Sequence, residues 1–120
     1  MNSPRLAANP NLTLVGRLML IEAVTFAIAS ILHFGITETF IAAAIPEAII
    51  AVVLAAGALA VMRRGSRWLG LATTIFALAG VIIGLSVIIG GPVSRPIDLA
   101  YHAMIFVALV VNVVLLLRSR

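Results

Sequence analysis

The chain has 120 residues, 63% of them hydrophobic and 10% charged, with a mean hydropathy of +1.26. A soluble domain carries about a quarter charged residues, so a water-facing globular surface is excluded. The absence of cysteine excludes disulfides and thiolate metal sites, and the net charge of +4 does not indicate nucleic acid, because the eight basic residues, all arginine, sit at the ends of apolar runs and not along one face.

Residues 1–12 hold Pro4, Pro10 and three asparagines and read as a disordered tail. They contain no short apolar core with a small-residue cleavage site, so no cleaved signal peptide is expected. A hydrocarbon layer about 30 Å thick needs roughly 20 apolar residues per helix. Residues 13–120 hold four such runs, at about 13–36, 39–62, 67–89 and 96–117. The first is interrupted by Arg17, Glu22 and His33. The second carries Pro46 and Glu47 near its start. Either a helix begins at Pro46, as suits proline in a first turn, leaving 40–45 as an interfacial piece, or one longer helix kinks there. The third opens on Arg67 and Trp68, an indole suited to the membrane boundary. The fourth has Asp98 and His102 in its first two turns.

Arg5 and Arg17 lie at the start of the first run, Arg63, Arg64 and Arg67 join the second to the third, and Arg118 and Arg120 follow the fourth. With four spans these segments share one side, which the positive-inside rule assigns to the cytoplasm. Arg95, Glu38, Glu47 and Asp98 fall toward the other side. The expectation is an all-α integral membrane protein of the cell (plasma or inner) membrane: a four-transmembrane-helix bundle with both N and C termini cytoplasmic. Small residues are dense in the second and third runs, and Gly80 and Gly84 have the GxxxG spacing of a helix-packing face, within or between subunits.

Ionisable groups inside a bilayer are costly, so each is a functional candidate. Glu22 and His33 are eleven residues apart, which returns to within about 20° of the same helix face. Asp98, His102, Ile105, Leu109 and Asn112 form one stripe by the same count. Set antiparallel, the first and fourth helices bring His33 level with Asp98 and His102, and Glu22 level with Asn112. Glu47 starts the second run at the same outer level. The outer half is therefore expected to gather His33, Glu47, Asp98, Tyr101 and His102. Two histidines and two carboxylates suit a divalent metal, a proton relay or the carbonyl of a quinone-like ligand. Glu22 and Asn112 form an inner polar pair, with Glu22 as a protonated acid.

Plainer readings stand beside these. Glu47 and Asp98 each follow a proline closely and suit the positive end of a helix dipole in a first turn. Thr37 and Thr39 suit helix caps. His33 is near enough to the outer end to reach a neighbour or the interface. His33 and His102 lie at matching depth for bis-histidine haem, but no glycines opposite the ring and no accompanying arginine are in evidence, which argues against haem.

The segment Ser-Ile-Leu-His-Phe-Gly at 30–35, the Pro46-Glu47 start of the second run, its continuation Leu54-Ala-Ala-Gly57-Ala-Leu, the basic turn and the Ala/Gly-rich third run together resemble the DoxX-like family of small four-helix membrane proteins. The resemblance implies a membrane partner in redox- or quinone-linked chemistry with Glu47 at its site. Glu22 and Asp98-x-x-Tyr101-His102 stand outside that pattern. The leading expectation is a small membrane protein whose His/carboxylate site binds a small ligand or metal. The alternatives are a non-catalytic accessory subunit of a larger membrane complex, and a small oligomeric transporter or channel using Glu22. Expected partners are the lipid bilayer and a membrane protein or second copy. With loops of about six to ten residues and no nucleophile–base array or phosphate loop, a non-enzymatic role is favoured.

Overall fold

The computed structural model describes residues 9–36, 41–92 and 95–119. Four α-helices follow in order: α1 (Pro10–Ile31), α2 (Ile41–Arg64), α3 (Arg67–Gly90) and α4 (Pro96–Arg118). Each is long and apolar enough to cross a membrane, which makes the chain a multi-pass membrane protein. The sequence-based expectation of an all-helical, four-span chain matches this architecture.

Local chemistry sets the boundaries. Asn9 caps α1, its side-chain oxygen accepting from the Asn11 N–H at 3.0 Å, and Pro10 takes the first helical position. Residues 10–12 are therefore helical. This corrects the expected tail of 1–12, whose residues 1–8 lie outside the described residues. After Ile31 comes a short π-type turn, Leu32–Ile36, interrupted by a kink at Gly35, whose φ of 140° is not helical. That dihedral is open to glycine and strained for other residues. The α2–α3 connection is equally tight. Gly65, at φ 63°, donates to the Val61 carbonyl, Ser66 N–H reaches the Ala60 carbonyl, and the Ser66 hydroxyl caps α3.

Pro46 neither starts nor ends α2, which runs through it from Ile41. Residues 41–45 are thus part of the helix and not a separate interfacial piece, and Glu47 lies beyond the first turn, so its reading as a helix-start carboxylate is corrected. Pro46 has no N–H, and interior prolines are tolerated in membrane helices where neighbours supply other bonds. Here Ser30 of α1 donates to the Ala44 carbonyl at 2.6 Å and fastens the segment before the proline. Asp98 does sit in the first turn of α4. Thr37, Glu38 and Thr39 lie outside the described residues.

The helices run antiparallel around a ring, α1 against α2, α2 against α3, α3 against α4, with a narrower seam between α4 and α1. Among the described residues no Cα of α2 comes within 8 Å of one in α4. The core is aliphatic: Val15, Met19 and Phe26 meet Leu54, Ala58, Val61, Leu71, Ala77, Val81, Ile105, Leu109 and Leu116. The outside is as apolar as the inside, with Ile21, Val52, Ile75, Ile83 and Val107 all exposed. Hydrocarbon around the bundle removes most of the hydrophobic drive for helix association, so close packing and interhelical hydrogen bonds must hold it. Glycines allow that approach. A Cβ on Gly57 would overlap Thr73 of α3, and one on Gly70 would lie 2.6 Å from Val61. At the end where α1 begins and α4 finishes, Arg67 donates to the Ser119 carbonyl at 2.6 Å, and its guanidinium lies 4.6 Å from the centre of the Trp68 ring.

Candidate functional site

At the opposite end, a cavity of about 410 Å³ opens between α2 and α4 with α3 as one wall. This falls in the size range of small-molecule sites, roughly 300–1,000 Å³. Its polar residues are His33 from the π-type turn, Glu47 from α2, and Arg95, Asp98 and His102 from the start of α4. Phe26, Pro46, Ile50, Val81, Ile83 and Val87 supply apolar wall.

His33 and Glu47 form the closest pair, with Nδ1 2.7 Å from Oε2. With Glu47 ionised, the carboxylate accepts and Nδ1 carries the hydrogen. His33 stands just after α1 and two residues before the non-helical Gly35, and meets Glu47 of α2 there. The other ring nitrogen of His33 lies 3.9 Å from Asp98 Oδ1, and Asp98 Oδ2 lies 3.5 Å from Arg95 Nη1. Acidic and basic side chains therefore alternate along the row Glu47, His33, Asp98 and Arg95.

His102 is held differently. Its Nδ1 lies 2.8 Å from the backbone carbonyl of Asp98, one turn earlier. A carbonyl has no hydrogen to give, so Nδ1 donates, and in the neutral ring Nε2 is left as an acceptor. That nitrogen faces Gly84 of α3, where a Cβ would stand 2.7 Å away. Gly80, one turn earlier, faces a different helix; a Cβ there would lie 2.5 Å from Ile50 Cδ1 of α2. The Gly80/Gly84 pair thus packs within the chain and forms one wall of the cavity.

Tyr101 is turned toward α1. Its ring meets Phe26 edge-on at 6.1 Å and His102 at 5.4 Å, and its hydroxyl is buried beside Thr25. It supports the site from behind and does not line the cavity.

The donor set does not fit a divalent metal. Among the described residues, no three His, Asp or Glu side chains stand where they could hold an ion together. His33 and His102 each commit one nitrogen to a protein oxygen, and the carboxylates face imidazole or guanidinium. The two imidazoles also answer to different partners, Glu47 in one case and the Asp98 carbonyl in the other.

The second polar group lies deeper, on the far side of Phe26 from the cavity. Asn112 Nδ2 is 2.9 and 2.6 Å from the two carboxyl oxygens of Glu22, and both residues are buried. Thr25 donates to the Glu22 backbone carbonyl at 2.7 Å. Asn112 Oδ1 and the Thr74 hydroxyl are buried without a hydrogen-bond partner among the described residues. Glu22 and Asn112 tie the narrow α1–α4 seam at mid-height.

The structure thus brings together His33 with Glu47 and Asp98, and Glu22 with Asn112. Sequence reasoning missed Arg95 as a partner of Asp98, although their spacing of three on a helix was visible. It also missed Phe26, Pro46 and Gly84 as cavity walls, for which sequence offers no distinguishing signal. No family model, curated protein or solved structure matches this chain.

Proposed function

We propose that this chain is a multi-pass protein of the cell membrane, with both termini in the cytoplasm, that binds a small amphipathic, quinone-like ligand in the cavity between α2 and α4. The observation that carries the reading is a cavity of about 410 Å³ lined by His33, Glu47, Asp98 and His102 together with aliphatic side chains of α2 and α3. Ligand sites combine a mostly apolar wall with a few convergent polar groups. His33, Glu47, Asp98 and His102 are the residues that would orient a head group. The resemblance to DoxX-like proteins supports a redox- or quinone-linked setting. Glu22 is engaged by Asn112 outside the cavity, which favours an interhelical tie over a transport carboxylate for that residue.

The test is ligand-dependent melting of the purified protein in lipid nanodiscs. Short-chain benzoquinone and benzoquinol analogues should raise the melting temperature of the wild type. The double variant His33→Ala/His102→Ala should lose that rise while remaining folded. Equal shifts in both proteins would reject the site. Orientation is tested separately: the chain has no cysteine, so single cysteines can be labelled without background.

A further inference from the structure

We infer that the end where α1 begins and α4 finishes carries a belt of arginines, supplied by all four helices, that binds the phosphates of anionic phospholipids. This surface lies at the end opposite the cavity, and the inference does not depend on what the cavity holds.

Contacts between the helices set the level of the belt. A Cβ on Gly16 of α1 would overlap Met62 of α2, so Arg17 stands level with Arg63 and Arg64. The tight connection at Gly65 and Ser66 leads directly from Arg64 to Arg67 of α3. Arg67 donates to the Ser119 carbonyl, which brings Arg118 of α4 to the same level. Arg17, Arg63, Arg64 and Arg118 are exposed. Among the described residues no carboxylate pairs with any of these arginines, and the ion pairs present lie at the cavity end. Glu22, the acidic residue nearest Arg17 along α1, is 4% exposed and bonded to Asn112. Among the described residues the belt is therefore positive without a counter-charge.

What stands beside the guanidiniums identifies the occupant. Every helix sets an exposed apolar side chain within one turn of its arginine: Leu14 on α1, Met62 on α2, Trp68 on α3 and Leu117 on α4. A molecule at the belt thus meets positive charge and apolar surface together on each helix of the ring. A soluble acidic partner covers the end of a bundle and leaves those apolar groups to the lipid. An anionic phospholipid matches both, with its phosphate on the guanidinium, as a charge-assisted hydrogen bond, and its acyl chains on the apolar neighbours. Basic residues at a membrane surface attract anionic lipids in this way. Arg67 has a structural duty as well, because its bond to Ser119 ties the α2–α3 connection to the end of α4.

The experiment uses the full chain in nanodiscs of phosphatidylglycerol and phosphatidylcholine in equal parts, with the same acyl chains. Native mass spectrometry after release from the disc counts the lipids of each kind that stay bound. The readout is indifferent to which face of the membrane the belt occupies. The wild type should retain phosphatidylglycerol over phosphatidylcholine by about fivefold for each arginine in contact, and high salt should shrink the preference. The variant Arg17→Gln/Arg63→Gln/Arg64→Gln/Arg118→Gln, which leaves Arg67 in place, should retain the two lipids equally. Lysine at the same four positions keeps the charge and should keep the preference, which separates loss of charge from loss of fold. Equal retention by the wild type, a preference unchanged in the glutamine variant, or its loss in the lysine variant overturns the inference. Displacement of the retained lipid by excess soluble glycerol phosphate would assign the arginines to a free anion and overturn it likewise.

Discussion

The Glu22–Asn112 tie can be measured as a coupling energy. The α1–α4 seam is the narrowest between neighbouring helices, and this pair crosses it with contacts of 2.9 and 2.6 Å from a carboxyl that is 4% exposed and an amide that is fully buried. Asn112→Leu leaves the carboxyl of Glu22 buried with nothing to bond, at a cost of about 1–3 kcal/mol. Glu22→Leu leaves both ends of the Asn112 amide unmatched, since Oδ1 has no partner among the described residues to begin with, and costs a similar ~1–3 kcal/mol. The double variant replaces both groups with apolar volume and removes the unmatched atoms, so it should be less destabilised than the sum of the two by about 1–3 kcal/mol. Interhelical hydrogen bonds in membranes typically couple by about 0.6 kcal/mol and reach about 1.7, so a value at the upper end is expected for two contacts in a dry seam. The assay is reversible unfolding in mixed micelles by added denaturing detergent, run as a double-mutant cycle. Additivity within about 0.5 kcal/mol would refute the argument, because independent sites behave that way.

Three further outcomes are expected. Gly84→Ala should push His102 from its bond to the Asp98 carbonyl and destabilise by about 1–3 kcal/mol, whereas Gly90→Ala, with nothing within 4 Å of the added carbon, should leave the melting temperature unchanged. Gly35→Ala, imposed on a φ of 140°, should cost about 1–3 kcal/mol and weaken quinol binding through His33, read by melting and binding in the same nanodiscs. Arg64→Cys and Pro92→Cys should react with a membrane-impermeant thiol reagent from opposite faces of oriented vesicles, Arg64→Cys from the cytoplasmic face; labelling of both from one face would contradict the four-span topology.

The polar pairs were legible for a simple reason. A carboxyl, an amide or an imidazole stands out in an aliphatic run, and helical geometry converts its position into a face and a height. Glu22 with Asn112 and His33 with Asp98 follow from that arithmetic. What escaped it depends on local backbone or on neighbours. The π-type turn that carries His33 needs Gly35 in an unusual dihedral, and nothing in the residue type announces which glycines adopt one. The continuation of α2 through Pro46, and the Ser30 hydroxyl that reaches the Ala44 carbonyl from another helix, are not announced by residue type. Gly80 and Gly84 looked like one packing face, yet they meet α2 and α4 respectively, because the third helix fits between both. The accepting nitrogen of His102 follows from a bond to its own helix that spacing alone does not select.

Trp68 is the only indole in the chain, two-thirds exposed in the first turn of α3 beneath a guanidinium. Its emission therefore reports the membrane boundary and is blind to whatever fills the cavity. Ala79 lies eleven residues along the same helix, about 16 Å away along the axis. A tryptophan placed there gives the opposite half of the molecule its own fluorophore, and the two can be told apart by quenchers that reside at different depths in the lipid.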